Sequence, residues 1–262
     1  METLNVHRRE GAMLVELNRP EALNSWNKQF GVDLNATLEE AERDDSVRAV
    51  CITGAGRAFS SGADLKGGVV DLTAEGRPDL QAILKENYHP AIRRVRFLPK
   101  PVVAAVNGPA VGIGMSLALA ADIVVAKESA YFLLSFVNIG LAPDGGSSLF
   151  VPERIGFARA MELAMLGERC PAPRAAEWGL INRAIPDEAF QTEVDTLVDK
   201  LASGATKSYA AVKRQANAWL FERIQGQLDL EADTQQEMVS TSDFVEGVTA
   251  FVEKRPASFR GA

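Results

Sequence analysis

The sequence predicts an α/β protein in which buried strands lie between helices. Three observations predict it. Residues 47–53 and 101–106 are short, nearly continuous apolar runs of strand length. Phe30, Leu34, Leu38 and Ala41 recur at helical spacing. A strand, strand, helix order repeats at least twice, and elements of that kind bury strands between helices.

The elements follow in order. Leu4 and Val6 alternate, Glu10-Gly11 turns, and 13–17 alternates again, which predicts a hairpin. Asn24-Ser-Trp-Asn27 leads into the helix carrying the Phe30 stripe. The strand over 47–53 directs Val50 and Ile52 inward and ends at Gly54-Ala-Gly56. A looser stretch, 67–78, precedes a helix over 80–95. A buried strand at 101–106, a small-residue helix over 112–121 and a second buried strand over 122–126 come next. Beyond Asp144 the pattern is helical, over 188–202, 207–220, 225–240 and 243–254.

Composition narrows the function. The chain has 262 residues, 47% apolar and 24% charged, as in ordinary globular proteins. A net charge of −7 argues against a general nucleic-acid binder, which needs a basic face. Cys51 and Cys170 lie in or beside apolar runs and read as buried free thiols of a reducing compartment. No metal-ligand spacing is present. The N-terminus lacks an apolar signal core, so a cytoplasmic location is expected. No formal charge occurs between Lys100 and Asp122, a span long enough to suggest a membrane helix. Asn107-Gly108-Pro109, Gly112 and Gly114 interrupt it with turn chemistry, so strand, turn and helix explain it better.

Two glycine-bearing stretches carry the chemistry. The first is Arg57-Ala-Phe-Ser-Ser-Gly-Ala-Asp-Leu-Lys66. The second is Pro101-Val-Val-Ala-Ala-Val-Asn-Gly-Pro-Ala-Val-Gly-Ile-Gly-Met-Ser116. Small-residue turns let a backbone approach a carbonyl closely. A helix start at Gly112-Ile-Gly114 adds a partial positive charge. The bland alternatives are a loop end at Gly62 and close helix–strand packing at Gly112 and Gly114. The Gly-x-Gly at 112–114 is no dinucleotide fingerprint, because position 117 is Leu.

These stretches, with Asn18-Arg-Pro-Glu-Ala-Leu-Asn24, Ala121-Asp-Ile123, Gly140-Leu-Ala-Pro-Asp-Gly-Gly146 and Phe251-Val-Glu-Lys-Arg-Pro256, resemble the enoyl-CoA hydratase/isomerase (crotonase) superfamily. The resemblance implies a spiral of β-β-α units, an acyl-CoA-binding core over 1–204 and a C-terminal helical oligomerisation region over 205–262. It implies a homotrimer or a dimer of trimers, with a CoA thioester as substrate and no separate cofactor. It places the oxyanion donors at the backbone N–H groups of Ala63 and Ile113. It lines the CoA slot with Ala22, Leu23, Ser60, Ser61 and Gly62, with Lys66 toward phosphates and Phe136 as an apolar wall. Phe251 and Lys254 would meet CoA, often from a neighbouring subunit; otherwise Phe251 anchors the last helix in the core.

In the same register, the two glutamates of the family's hydratases fall on Ser116 and Phe136, neither acidic here. Water addition needs a water-positioning group and a proton donor. Asp144 stands where some isomerases of the family place an acid, and its segment looks most like the branch acting on the ring epoxide of phenylacetyl-CoA. The resemblance therefore implies an isomerase with Asp144 as proton carrier. A hydratase with unusual residues and a silent acyl-CoA binder are the alternatives. Asp144 as a helix N-cap is the structural alternative. His7 and His89, the only histidines, receive no role, and Asp64 and Asp122 read as turn braces.

Overall fold

A computed structural model of the chain describes residues 1–65 and 72–262. The chain opens with β1 (Leu4–Arg9) and β2 (Ala12–Leu17), the expected hairpin. α1 (Lys28–Arg43) and β3 (Ala49–Gly54) follow. α2 (Leu80–Ile83), a π-helical turn at Leu84–Tyr88 and α3 (His89–Phe97) come next. Then come β4 (Val102–Val106), β5 (Ala110–Val111), α4 (Ile113–Ala120), β6 (Ile123–Lys127) and β7 (Tyr131–Leu133). A 3₁₀ turn at Phe136–Ile139 leads to α5 (Ser147–Leu166), β8 (Cys170–Pro171), α6 (Ala172–Trp178) and β9 (Arg183–Ile185). Last are α7 (Phe190–Ser203), α8 (Thr206–Leu220), α9 (Ile224–Met238) and α10 (Ser242–Glu253).

Six strands form one sheet in the order β1-β2-β3-β4-β6-β9, parallel except for the hairpin. A small sheet, β5-β7-β8, lies apart from it. The units β4-β5-α4 and β6-β7-α5 repeat one path, each contributing one strand to either sheet. The preceding turn of the coil begins at β3 and reaches the small sheet only through Ser60, bridged to Ala110.

Val50 and Ile52 do face the main core, with Val102, Ala104 and Val106. Cys51 is equally buried, because α7 covers the sheet's other face with Phe190, Val194, Val198 and Ala202. Covering both faces is why β3 and β4 read as continuous apolar runs rather than alternating ones. Both cysteines are free and buried, as expected.

The uncharged stretch resolves into β4, a turn, β5 and α4. Among the described residues no helix is long and apolar enough to cross a membrane. The helix expected over 80–95 extends to Phe97, with the π turn inside it. There Asn87 turns inward, accepting from Trp26 Nε1 at 2.8 Å and donating to the Lys28 carbonyl at 2.9 Å. The C-terminal helices fasten to this body. Lys213 of α8 donates to the Val95 carbonyl at 3.0 Å and to Asp122 at 2.8 Å. Asp122 also holds Arg96 and the Val102 N–H, which makes it the expected brace. Leu228 and Ala232 of α9 are fully buried in the main core.

Candidate active site

Two backbone turns meet at the bridge between Ser60 and Ala110. The Ser60 N–H donates to the Pro109 carbonyl at 3.0 Å, and Val111 N–H donates to the Ser60 carbonyl at 2.9 Å. On its other side the first turn pairs with Trp26: Trp26 N–H donates to the Gly62 carbonyl at 2.8 Å and Asp64 N–H to the Trp26 carbonyl at 3.0 Å. In that parallel pattern the Ala63 N–H faces away from Trp26, and it has no acceptor among the described residues. Gly62 has φ 93°, and a Cβ there would come within 3.0 Å of the Val111 carbonyl oxygen. Only glycine permits both that conformation and that approach.

Gly112, at φ 51°, swings the chain from β5 into α4, so Ile113 is the first helical residue. Its N–H has no intrahelical acceptor and sits at the positive end of the helix. Ala63 and Ile113 each lie three residues past a member of the Ser60–Ala110 pair. The result is two free donors on adjacent turns at equivalent points of the coil.

The surrounding residues divide into walls and braces. Ser61 donates its N–H to the Leu23 carbonyl at 2.9 Å and its hydroxyl to the Ala22 carbonyl at 3.3 Å, so Ala22 and Leu23 lie beside the first turn. Ser60 is fully buried, and its hydroxyl donates to the Asn24 carbonyl at 2.8 Å. This corrects its expected place along the slot: backbone and hydroxyl are both consumed inside the protein, so Ser60 is a brace. Asp64 braces the same turn by accepting from Arg19 at 2.8 Å. Phe136 is buried, with its ring beside Gly112. Lys66 lies outside the described residues. Phe251 is 52% exposed near the end of α10, so the core-anchor alternative fails. Lys254 follows it as the left-handed cap of that helix, exposed as well.

Asp144 sits in the loop before α5, next to the second turn. A Cβ on Gly145 would meet the Ile113 side chain at 2.3 Å and Ser116 Cβ at 3.0 Å. The Asp144 carbonyl accepts from the hydroxyls of Ser116 and Ser147, each at 2.8 Å. Its side chain does not cap α5, whose cap residue is Gly146. The N-cap alternative is therefore excluded, and another residue does that work. Glu231 of α9 accepts from the Gly146 N–H at 2.7 Å, the Ser148 N–H at 3.1 Å and the Ser148 hydroxyl.

This leaves the Asp144 carboxyl free for chemistry. Oδ2 accepts from Gln235 Nε2 at 2.8 Å, while Oδ1 is buried without a partner among the described residues. Burial pushes this carboxyl up to about 8, helped by the Glu231 charge and opposed by the Gln235 hydrogen bond. Burial likewise raises Glu231 to about 7, against the loop's donors. Tyr88 packs its ring 5.1 Å from Trp26. Burial and the charges of Asp144 and Asp64 raise its phenol, so it remains a proton-bearing donor.

Ser116 is fully buried with its hydroxyl spent on the Asp144 carbonyl, and Phe136 is apolar. Neither offers a carboxylate. Glu231 and Gln235 escaped the sequence analysis because a polar stripe on a late helix reads as a solvated face. Their only sequence signal is the spacing of four along α9.

The arrangement places two backbone donors beside the buried carboxyl of Asp144, with Glu231 buried behind its loop. The chain as a whole also matches known proteins. The enoyl-CoA hydratase/isomerase family model matches residues 7–262. The 1,2-epoxyphenylacetyl-CoA isomerase of Escherichia coli is 42% identical over 261 residues, covering 100% of this chain and 99% of that protein. A Rhodobacter capsulatus protein named "Probable enoyl-CoA hydratase" is 43% identical over 96% of this chain and 95% of its own length. The crystal structure of an enoyl-CoA hydratase from Mycobacterium avium subsp. paratuberculosis superposes with a TM-score of 0.89 at 39% identity, covering 98% of each chain. With the family model spanning nearly the whole length, this chain belongs to the enoyl-CoA hydratase/isomerase family.

Proposed function

We propose that this protein is an acyl-CoA isomerase. The Ala63 and Ile113 N–H groups hold the thioester oxygen, and Asp144 carries a proton between two positions of the acyl group. One observation supports this most: Asp144 is a buried carboxyl beside the second turn, with one oxygen anchored and the other unpartnered among the described residues. Two backbone donors stabilise an enolate oxygen as it forms, which makes the α-proton removable. A carboxyl that exchanges its proton near neutral pH suits both removal and return. The reaction is a double-bond shift or a ring-epoxide rearrangement. For the former, Asp144 starts as a base; for the latter, its proton assists ring opening.

Hydration is the second reading, raised by the Rhodobacter relative's name. Glu231 is the carboxylate coupled to Asp144, but it is buried and both its oxygens already accept from Gly146 and Ser148. Ala22, Leu23, Ser61, Gly62, Lys66 and Phe136 line the substrate slot in this proposal. The protein is a cytoplasmic homotrimer or dimer of trimers, with Phe251 and Lys254 reaching the CoA of a neighbour. Exposed Trp219, Val245 and Val252 on the C-terminal helices support that assembly.

The test is turnover of enoyl-, dienoyl- and ring-epoxide-CoA thioesters in heavy-oxygen water by wild type and Asp144→Asn. Isomerisation without solvent oxygen in the product, abolished by the variant, is expected. Solvent oxygen in the product would favour hydration. Unchanged turnover in the variant would remove Asp144 from the mechanism.

A further inference from the structure

Helix α9 presents two stripes. Ile224, Leu228 and Ala232 are buried in the core. Beside them Gln227, Glu231 and Gln235 repeat every fourth residue, on one face of a helix. All three grip the Asp144 loop or the first turn of α5 that follows it. Gln227 donates to the Ser148 hydroxyl at 2.8 Å. Glu231 accepts from Gly146 and Ser148. Gln235 donates to the Asp144 carboxyl at 2.8 Å, and its Oε1 accepts from the Ala142 N–H at 3.4 Å. Glu231 and Gln235 are 3% and 0% exposed, too buried to be a solvated polar face.

Resting on Asp144 as the proton carrier, we propose that this polar stripe of α9 is a positioning device. Glu231 strengthens Asp144 as a base through its negative charge, and Gln235 weakens it by holding the ionised form.

The chemistry follows from the two contacts. A negative charge in a dry site makes protonation of a neighbouring carboxylate more favourable. A donor to a carboxylate oxygen does the reverse. Few other groups bear on the balance. Among the described residues, Tyr88, from the π turn, is the other titratable group coupled to Asp144, and it stays neutral. The side chains reaching the loop from α4 and α5 are uncharged: Ile113, Ser116, Ser147, Ser148 and Phe150. Burial sets most of the proton affinity at the site, and α9, more than eighty residues downstream of Asp144, adjusts it in both directions.

The experiment titrates Asp144 directly, by carboxyl-carbon NMR on ¹³C-aspartate-labelled full-length protein, with Asp144→Asn assigning the signal. It is paired with pH profiles of kcat/KM. Glu231→Gln should lower the Asp144 midpoint by about one pH unit, and Gln235→Met should raise it by a similar amount. Gln227→Ala removes a grip but no charge, so it should lower kcat without moving the midpoint. Misfolding cannot produce opposite shifts from two variants. The proposal is overturned if both variants move the midpoint in one direction, or if neither moves it. It is likewise overturned if Gln227→Ala shifts it as far as Glu231→Gln. The NMR readout needs no turnover. Opposite shifts without any effect of Asp144→Asn on activity would uphold the α9 device while refuting Asp144 as proton carrier.

Discussion

The two sides of the proposed site are built differently. The thioester side is made of backbone: Ala63 and Ile113 present N–H groups fixed by strand pairing and by a helix start. The proton side is made of one side chain, Asp144, whose strength is set by its burial and adjusted by Glu231 and Gln235 of a distant helix. A backbone donor is indifferent to its own side chain, so Ile113 serves as well as a smaller residue would. A carboxyl has no fixed strength and must be tuned by its surroundings. The binding half is therefore specified locally, and the reacting half by tertiary packing.

The largest predicted effect breaks the proton side. Asp144→Asn keeps size and loop geometry and should reduce kcat by roughly 10²–10⁴-fold. Steady-state kinetics on an isomerisable thioester checks it, and a loss below tenfold would place the proton transfer elsewhere.

Next is the backbone side. Ile113→Pro deletes a donor at the first position of α4, where proline suits a helix. Turnover should fall by about 10²–10³-fold. Circular dichroism should show a folded protein. A folded variant with full kcat would disconnect Ile113 from the oxyanion.

The comparison also predicts a difference in pH-dependent stability. The Asp144 carboxyl rises from 3.8 to about 8 on folding, so the folded state binds its proton more tightly. That contribution is fully present below about 4 and is lost as pH rises through about 8. Asp144→Asn has no such loss. Its Tm should match wild type near pH 4 and exceed it by several degrees near pH 9, for a difference on the order of a few kcal/mol. Calorimetry across that range decides, and a variant less stable at high pH would contradict the burial argument. Ile113→Pro should show no comparable trend, because it removes no titrating group.

The smallest effect lies farthest from both sides. Phe251→Ala on exposed α10 should raise KM for a CoA thioester by about three- to tenfold with little change in kcat, by loss of an aromatic contact with the nucleotide. A fall in kcat alone would assign Phe251 to something other than CoA binding.

Legibility in the sequence follows the same division. The hairpin, the Phe30 stripe, β4 and the turn glycines were readable because local periodicity and turn chemistry determine them. The donors at Ala63 and Ile113 came with the motifs that resemble the family. Glu231 and Gln235 were not readable, since their partners lie in a loop far upstream and α9 looks solvated on that face. Ser60 was expected beside the ligand, but its hydroxyl found the Asn24 carbonyl, a contact that only the folded chain creates. Cys51 was unassigned to a face because nothing nearby announces that α7 will cover the sheet.

The bridge between Ser60 and Ala110 has an evolutionary consequence. It fixes how far apart the two donors stand through one rung of β pairing, made by backbone groups rather than by side chains. Substitutions at Phe136, at Asp144 or along α9 can change which acyl group reacts and how, while the grip on the thioester stays constant. On the proposed function, the chain is divided into a backbone clamp and an adjustable reagent. New activities on this scaffold can arise by small steps, because none of those steps has to reinvent substrate capture.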